Sequence, residues 1–348
     1  MSLVPSYTAA SVRACALRGV LLAADEWPRL AGIAGTGAAI EWLKARGVVD
    51  SGVAGLLSVE RSAHASVIRN GTGLLRFVRG PLSDLLRCFV YYYDLLNVES
   101  VAYRIHTFSV EEGHAAGRLY DTGPFGLFSA GALDAVTNYA ALGRALRHSV
   151  FANAFDAGLV RYQEDEDVVR LVERVEVAFF ANWVGAAERC GVFVRGVAGR
   201  TALGIFFAAR AIGAAVRLKL YRQAQTNRIV EWLSLVARQS EVERCLALLS
   251  GTAEAELVRE MAGILVPSAS TDDGVEPWMS GPRGIWGFLD GLVMRAALKR
   301  TRGIAFGPGF LTAILVRQMC QARQLTVLLE SKHVDLAVPL SAAGGGMS

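Results

Sequence analysis

The sequence predicts an all-α protein, and three observations support this fold class. Hydrophobic residues make up 53% of the 348 residues and charged residues 20%, which is the balance of a folded chain with a large core. No proline lies between Pro124 and Pro267, and proline inside a helix costs about 3 kcal/mol, so this stretch accommodates several helices in series. Apolar residues recur at three- and four-residue steps, whereas few segments alternate as strands do.

The clearest helical pattern begins at Asp165. Apolar residues follow it at the spacing of one helix face, and they are Val168, Leu171, Val172, Val175, Ala178, Phe179 and Trp183. The acidic run at 164–167 lies where the dipole of such a helix favours negative charge. We therefore predict a helix from Asp165 past Trp183, with the acidic residues at its start.

Further elements are predicted in the C-terminal half of the chain. Residues 191–197 alternate weakly, and we interpret them as a connector rather than a strand. Helices are predicted over 227–249 and over 310–330, each with an apolar core side. Residues 266–284 are rich in Pro, Ser, Asp and Gly, which predicts a long surface loop, and residues 341–348 should form a flexible tail.

Composition disfavours several classes of function. The net charge of +4 comes from 36 basic and 32 acidic residues without a basic stripe, so we expect no nucleic-acid binding. The longest stretch free of charged residues, 303–316, is shorter than the roughly 20 residues that a membrane-spanning helix needs. The first residues do not resemble a signal peptide, and five scattered cysteines are typical of a reducing, cytoplasmic setting.

The sequence motifs of common catalytic sites are missing. There is no Gly-x-x-x-x-Gly-Lys-Ser/Thr phosphate loop, no Gly-x-Ser-x-Gly elbow and no His/Cys spacing typical of zinc. Residues 119–123 resemble half of an aspartic-protease site, but that chemistry needs two carboxylates, and we interpret the segment as a helix-ending turn. We expect no catalytic residue, cofactor or metal. A helical enzyme whose site is assembled from scattered residues remains an alternative.

The chain also repeats itself faintly with a period near 110 residues. Three similar helices surround Asn97, Val216 and Gln324, which are separated by 119 and 108 residues. Each helix follows an apolar stretch of similar length. This period predicts three fused copies of one helical unit, with approximate boundaries at 1–120, 121–228 and 229–348.

The first copy carries a resemblance to a known family. The stretch from Tyr93 to Arg104, with Asp94 and Asn97 inside it, resembles the Asp-x-x-Asn helices of the C-type subunits of archaeal and bacterial V/A-type ATPases. That family includes the d-type subunits of the eukaryotic V-ATPases. Residues 7–14, followed by Leu21 and Leu22, are similar to the first helix of the family.

The other two copies depart from the family motif. The middle copy has Gly213 and Val216 where the family has aspartate and asparagine. The third copy has Gln321 and Gln324 in place of an acid and an amide. The polar motif is therefore complete only at Asp94 and Asn97, for which a structural role inside the helical unit is expected.

The resemblance implies a funnel-shaped protein of three pseudo-threefold helical units that is a peripheral component on the cytoplasmic face of the membrane. It implies a non-catalytic central-stalk protein whose partners are the D/F-type shaft subunits and the membrane proteolipid ring, in ATP-linked proton or sodium transport. Candidates for contact with acidic groups of the shaft are Arg104, Arg217, Arg222 and Arg323. An all-helical scaffold or adaptor unrelated to ATPases remains an alternative.

Overall fold

A computed structural model describes residues 4–107, 119–222, 226–249, 254–267, 282–302 and 306–333. The all-α prediction is confirmed, since these residues are 78% helical and contain fifteen α-helices and no strand. No helix within the described ranges combines the length and the apolarity needed to cross a lipid bilayer.

The fifteen helices of the described residues are numbered in chain order. The first eight are α1 (Val4–Val20), α2 (Glu26–Gly32), α3 (Thr36–Ala45), α4 (Leu56–Leu75), α5 (Pro81–Thr107), α6 (Ala130–Asp134), α7 (Tyr139–Leu146) and α8 (Ala152–Asp165). The remaining seven are α9 (Val168–Arg189), α10 (Ala202–Arg222), α11 (Thr226–Ser234), α12 (Gln239–Leu248), α13 (Glu254–Leu265), α14 (Pro282–Thr301) and α15 (Pro308–His333). Short 3-10 turns occur at Gly123–Phe125 and Ala198–Arg200.

The chain forms two compact units. One is built from residues 1–70 together with 188–348, and the other from residues 71–187. The sequence predicted a different division at 1–120, 121–228 and 229–348, and the threefold repeat of whole units remains a prediction.

The core of the unit formed by residues 71–187 is aromatic. Phe89 and Tyr92 of α5 meet Phe179 and Trp183 of α9, and the rings of Phe89 and Trp183 lie edge to face with their centroids 4.9 Å apart. All four side chains are buried. Such aromatic pairs contribute about 0.5–1.5 kcal/mol each beyond their burial, so they fix α9 against α5.

The core of the other unit surrounds α15. Every residue of α15 from Phe310 to Ala322 is buried, which is the pattern of a helix enclosed on all sides. Helices α10 and α14 pack against it and against each other, and α1 and α3 also pack against it. Ala10 and Ala14 of α1 are fully buried. Their small side chains allow α1 to pack closely against its surroundings.

Three element boundaries differ from the predictions. The predicted helix starting at Asp165 is wrong there, because α8 continues to Asp165 and Glu166 adopts a left-handed φ of 55° before α9 begins. The predicted helix over 227–249 is wrong as a single element, because α11 and α12 are separate. The predicted loop over 266–284 is wrong at its end, where Pro282 already starts α14.

Other predicted elements are in place or lie outside the described residues. The helix over 310–330 is confirmed as α15, and the connector at 191–197 contains no strand. Residues 268–281 of the predicted loop and the predicted tail at 341–348 are outside the part of the chain that the structure describes.

Candidate functional site

The motif residues Asp94 and Asn97 lie one helical turn apart in the middle of α5. Both side chains are buried, with 0% and 2% of their surface exposed. A buried polar group is costly unless it is hydrogen-bonded, so their bonding partners define what these residues do. Both find their partners in the segment 119–128, which we call the clamped segment.

Asn97 binds the start of the clamped segment through both ends of its amide. Its Nδ2 donates to the carbonyl oxygen of Tyr120 over 2.8 Å, and its Oδ1 accepts from the Tyr120 N–H over 2.7 Å. The ring of Tyr120 also meets the ring of Tyr93 edge to face at 5.1 Å. One side chain therefore satisfies both backbone groups of Tyr120.

Asp94 binds the rest of the clamped segment with its two carboxylate oxygens. Oδ1 accepts from the Thr122 hydroxyl and Oδ2 from the Leu127 N–H, each over 2.7 Å. Burial raises the pKa of Asp94 to about 6, although these two hydrogen bonds favour the charged form. Since both oxygens already accept bonds from the protein, the carboxylate holds the backbone rather than a substrate.

The clamped segment turns tightly because of Gly126. A Cβ atom at this position would lie 1.9 Å from Oγ1 of Thr122 and 3.3 Å from Oδ1 of Asp94. Gly123 precedes it with a φ of 63°, and its N–H is bound by Oδ1 of Asp121. Residues 119–122 are non-helical, and residues 108–118, where the predicted helix before the turn would end, lie outside the described ranges.

Arg104, near the end of α5, is bound to the protein's own backbone. Its Nη2 donates to the carbonyl oxygens of Leu133 and Val136, each over 3.0 Å. These carbonyls lie at and beyond the last turn of α6, where helix carbonyls lack partners within the helix. Arg104 therefore holds α6 against α5. Its guanidinium group, which the sequence suggested for partner contact, is bound within the protein.

An analogous arrangement occurs in α15, which like α5 begins with a proline. Gln321 lies thirteen residues after Pro308, just as Asp94 lies thirteen residues after Pro81. Oε1 of Gln321 accepts from the Leu22 N–H over 2.8 Å, and Arg317 Nη2 donates to the carbonyl oxygen of Leu22 over 2.7 Å. The middle of α15 thus holds the backbone that follows α1, as the middle of α5 holds the clamped segment.

The corresponding position in α10 contains an aromatic ring instead. A Cβ atom at Gly213 would lie 2.4 Å from the Trp286 ring, so the missing side chain makes room for this tryptophan of α14. The guanidinium of Arg210 lies 5.6 Å from the centre of the same ring, which is within cation–π range. Apolar packing thus replaces the polar clamp at this position.

The other predicted arginines lie on α10 and α15. Arg323 forms an ion pair with Asp290 of α14, and both side chains are largely buried. Arg217 is half-buried on α10. Arg222 is the last residue of α10, and its side chain is outside the described part of the chain. Arg104 belongs to the unit formed by residues 71–187, and Arg217 and Arg323 belong to the other unit.

No group of three or more His, Cys, Asp or Glu side chains among the described residues is arranged to hold a metal ion. A cavity of about 30 Å³ lies beside Gln318 and Gln321, between α15, α4 and the end of α1. That volume is enough for a water molecule.

Sequence reasoning missed Thr122, Gly126 and Trp286. The turn-forming run Thr122-Gly123-Pro124 was visible, but nothing in it identifies Asp94 as its partner 28 residues earlier. Comparison of the sequence with models of protein families finds no match, and comparison with curated proteins finds none either.

Proposed function

We propose that the chain is the non-catalytic central-stalk subunit of a rotary V/A-type ATPase. In this role it is a socket that couples the rotor shaft to the membrane proteolipid ring during ATP-linked proton or sodium transport. Its partners would be the D/F-type shaft subunits and the proteolipid ring, and its place the cytoplasmic face of the membrane.

One observation carries the proposal. The family motif in the sequence, Asp94 with Asn97, coincides with a buried polar clamp in the middle of α5. The third copy of the motif, at Gln321, has the same place within α15 and the same task of binding a leucine N–H. The agreement between a sequence repeat and a repeated local contact favours a protein built from related helical units over an unrelated scaffold.

The clamps suit a part that transmits force. A torque-bearing protein needs to resist deformation, and closely packed interiors deform little. A hydrogen bond that is shielded from water is stronger than an exposed one, so buried clamps hold the connecting segments firmly against the long helices. Among the described residues, such clamps lie at the middle of α5 and of α15.

Association with the rotor tests the proposal. The full chain, carrying an affinity tag, is expressed in its own organism, and membranes are solubilised mildly before purification on the tag. We expect the proteolipid of the ring and the shaft subunits to copurify with it. We also expect the purified chain to bind purified shaft subunits, with an association rate that falls as salt increases.

Other outcomes identify the alternatives. Copurification of soluble proteins without proteolipid or shaft would contradict the rotor role and favour a scaffold or adaptor. Recovery of the chain alone, together with turnover of a small molecule, would favour a helical enzyme. Arg104 and Arg323 are unsuitable for charge reversal in this experiment, because they bind the protein's own Leu133 and Asp290.

A further inference from the structure

Three arginines lie around Thr301, the last residue of α14. The Thr301 carbonyl oxygen accepts from Arg18 Nη1 of α1 over 3.0 Å, and the Thr301 hydroxyl oxygen accepts from Arg317 Nη1 of α15 over 3.4 Å. Arg302 follows Thr301 directly in the chain. All four residues belong to the unit built from residues 1–70 and 188–348. We call Arg18, Arg302 and Arg317 the arginine cluster.

Arg317 is the buried member of this cluster, with 6% of its surface exposed. Its hydrogen bonds go to uncharged oxygens, those of the Leu22 carbonyl and the Thr301 hydroxyl. Its Nε is also buried and has no hydrogen-bond partner among the described residues. A buried guanidinium without a bound opposite charge is costly, so the surroundings of Arg317 favour an anion.

Positive charge exceeds negative charge around Arg317. Burial, together with the positive charges of Arg18 and Arg302, lowers the pKa of Arg317 to about 10, so its guanidinium is charged at neutral pH. The carboxylate of Glu26 acts in the opposite direction. Both of its oxygens are already bound by Arg46, over 2.6 Å from Nε and 3.3 Å from Nη2. This one carboxylate is therefore shared with a fourth arginine.

We propose that the arginine cluster binds a phosphate group, with Arg18 and Arg302 contacting its oxygens and Arg317 contributing positive charge from the protein interior. Arg302 is exposed and Arg18 is half-buried, so an ion in solution can reach both. Guanidinium groups offer paired N–H donors that match the oxygens of phosphate, and hydrogen bonds between ionised groups are among the strongest in proteins. A doubly charged phosphate would also offset the excess positive charge around Arg317. This inference does not depend on the rotor proposal.

Phosphate binding by the full chain tests the inference. The probes are sodium phosphate and, as a phosphate ester, glycerol phosphate, each at an ionic strength held constant with sodium chloride. Calorimetry should show saturable binding at millimolar concentration. The midpoint of thermal unfolding should rise and saturate over the same range, because the ligand binds the folded chain. Binding of both probes would support the site and identify phosphate esters as ligands, whereas binding of sodium phosphate alone would support a site for free phosphate.

Arg302→Gln is the principal variant, because the Arg302 side chain is exposed and its exchange should leave the fold intact. It should weaken phosphate binding by about tenfold, which is the effect of removing one charged hydrogen-bond donor. Arg18→Gln with Arg302→Gln should abolish saturable binding in the millimolar range. Arg317 is left in place, because its bond to the Leu22 carbonyl oxygen supports the fold. Circular dichroism confirms that each variant is folded.

Arg13 provides a matched control on the same helix as Arg18. It is exposed, and it lies five residues before Arg18, which places it on another side of α1. Arg13→Gln removes the same charge as Arg302→Gln and should bind phosphate as the wild type does. The comparison therefore separates contact with the ion from a change in net charge.

Several outcomes would overturn the inference. One is the absence of saturable phosphate binding by the wild type, and another is an Arg302→Gln variant that binds as tightly as the wild type. Equal losses in Arg13→Gln and Arg302→Gln would show a response to net charge alone. A wild type that binds no phosphate, but loses its shaft subunits on exchange of Arg302, would assign the cluster to a protein carboxylate instead. Failure of the rotor proposal alone would leave phosphate binding intact while no ring or shaft copurifies.

Discussion

Asp94 is shielded from water although it carries a titratable carboxyl group. Burial raises the pKa of this group from 3.8 to about 6 in the folded protein, which means that folding favours its protonated form. The contribution of Asp94 to stability is therefore greatest below pH 3.8 and is lost as the pH rises through about 6. At neutral pH the charged clamp is retained at a cost, which its two hydrogen bonds partly offset.

Exchange of Asp94 for Asn should change how stability depends on pH. Asn does not titrate. The unfolding free energy of the wild type, relative to that of Asp94→Asn, should therefore decrease as pH rises from 3.8 to about 6. A pKa difference of this size corresponds to about 3 kcal/mol. Denaturant titrations of both proteins across this range measure the difference. Two curves that remain parallel would show that Asp94 titrates normally.

Gly126 should be intolerant of any side chain. Gly126→Ala places a methyl group against the Thr122 hydroxyl, which is Asp94's partner, and we expect a loss of at least about 2 kcal/mol of stability. Gly131→Ala in α6 is the matched control, because a Cβ there meets no atom within 4 Å. That exchange should be neutral or stabilising by about 0.5–1 kcal/mol. Thermal or denaturant unfolding compares the two, and equal effects would contradict the tight turn.

Helices α5 and α15 use the same position for the same purpose. Asp94 and Gln321 each accept a bond from a leucine N–H, at Leu127 and Leu22 respectively. The chemistry of the acceptor differs, since one is a carboxylate and the other an amide. Only the amide is free of the cost of burying a charge, which explains how Gln321 can serve without a pH-dependent contribution.

Removal of a glutamine amide from α15 should destabilise the protein at position 321 and much less at position 324. Gln321→Leu leaves the Leu22 N–H without its acceptor, and an unsatisfied buried donor costs about 1–3 kcal/mol. Gln324→Leu, one turn further along, changes a half-buried side chain and should cost less than about 0.5 kcal/mol. Urea unfolding of both variants gives the comparison. A similar loss of stability in both variants would show that the hydrogen bond from the Leu22 N–H to Gln321 does not contribute to stability.

The sequence predicted helix interiors better than helix ends. Helix α15 was predicted from its apolar pattern and is present with small extensions at both ends. The break between α11 and α12 was missed because residues 235–238 contain no glycine or proline. It is held by tertiary and capping bonds: the Val236 carbonyl accepts from the Gly196 N–H, and the Glu241 side chain accepts from the Arg238 N–H.

The sequence predicted the residues of the candidate site that lie on α5, but not their partners. Asp94 and Asn97 were selected from their place in a helix motif, and a structural role was expected for them. Their partners Tyr120, Thr122 and Leu127 are reached across 23 to 33 residues, and no local pattern encodes such a pairing. For the arginines, the sequence showed charge near the repeated helices, but not that Arg104 and Arg323 bind groups of their own protein.

For the molecule as a whole, we expect no nucleotide chemistry. The sequence has no Gly-x-x-x-x-Gly-Lys-Ser/Thr phosphate loop. The isolated chain should neither bind ATP at micromolar concentration nor hydrolyse it, as measured by calorimetry and phosphate release. Micromolar binding with turnover that a point mutation in this chain abolishes would contradict a purely mechanical role.

The discontinuous unit has a consequence for synthesis on the ribosome. Residues 71–187 form a unit from one continuous stretch, so it can fold as soon as it emerges. The backbone at Leu22 is bound by Gln321, and the carbonyls of Ala31 and Ile33 are bound by Lys332, about 300 residues later. Until α15 is made, the amino-terminal helices lack the surface they bury, and a nascent chain stalled before Pro308 should expose them to chaperones and proteases while its middle third is already protected.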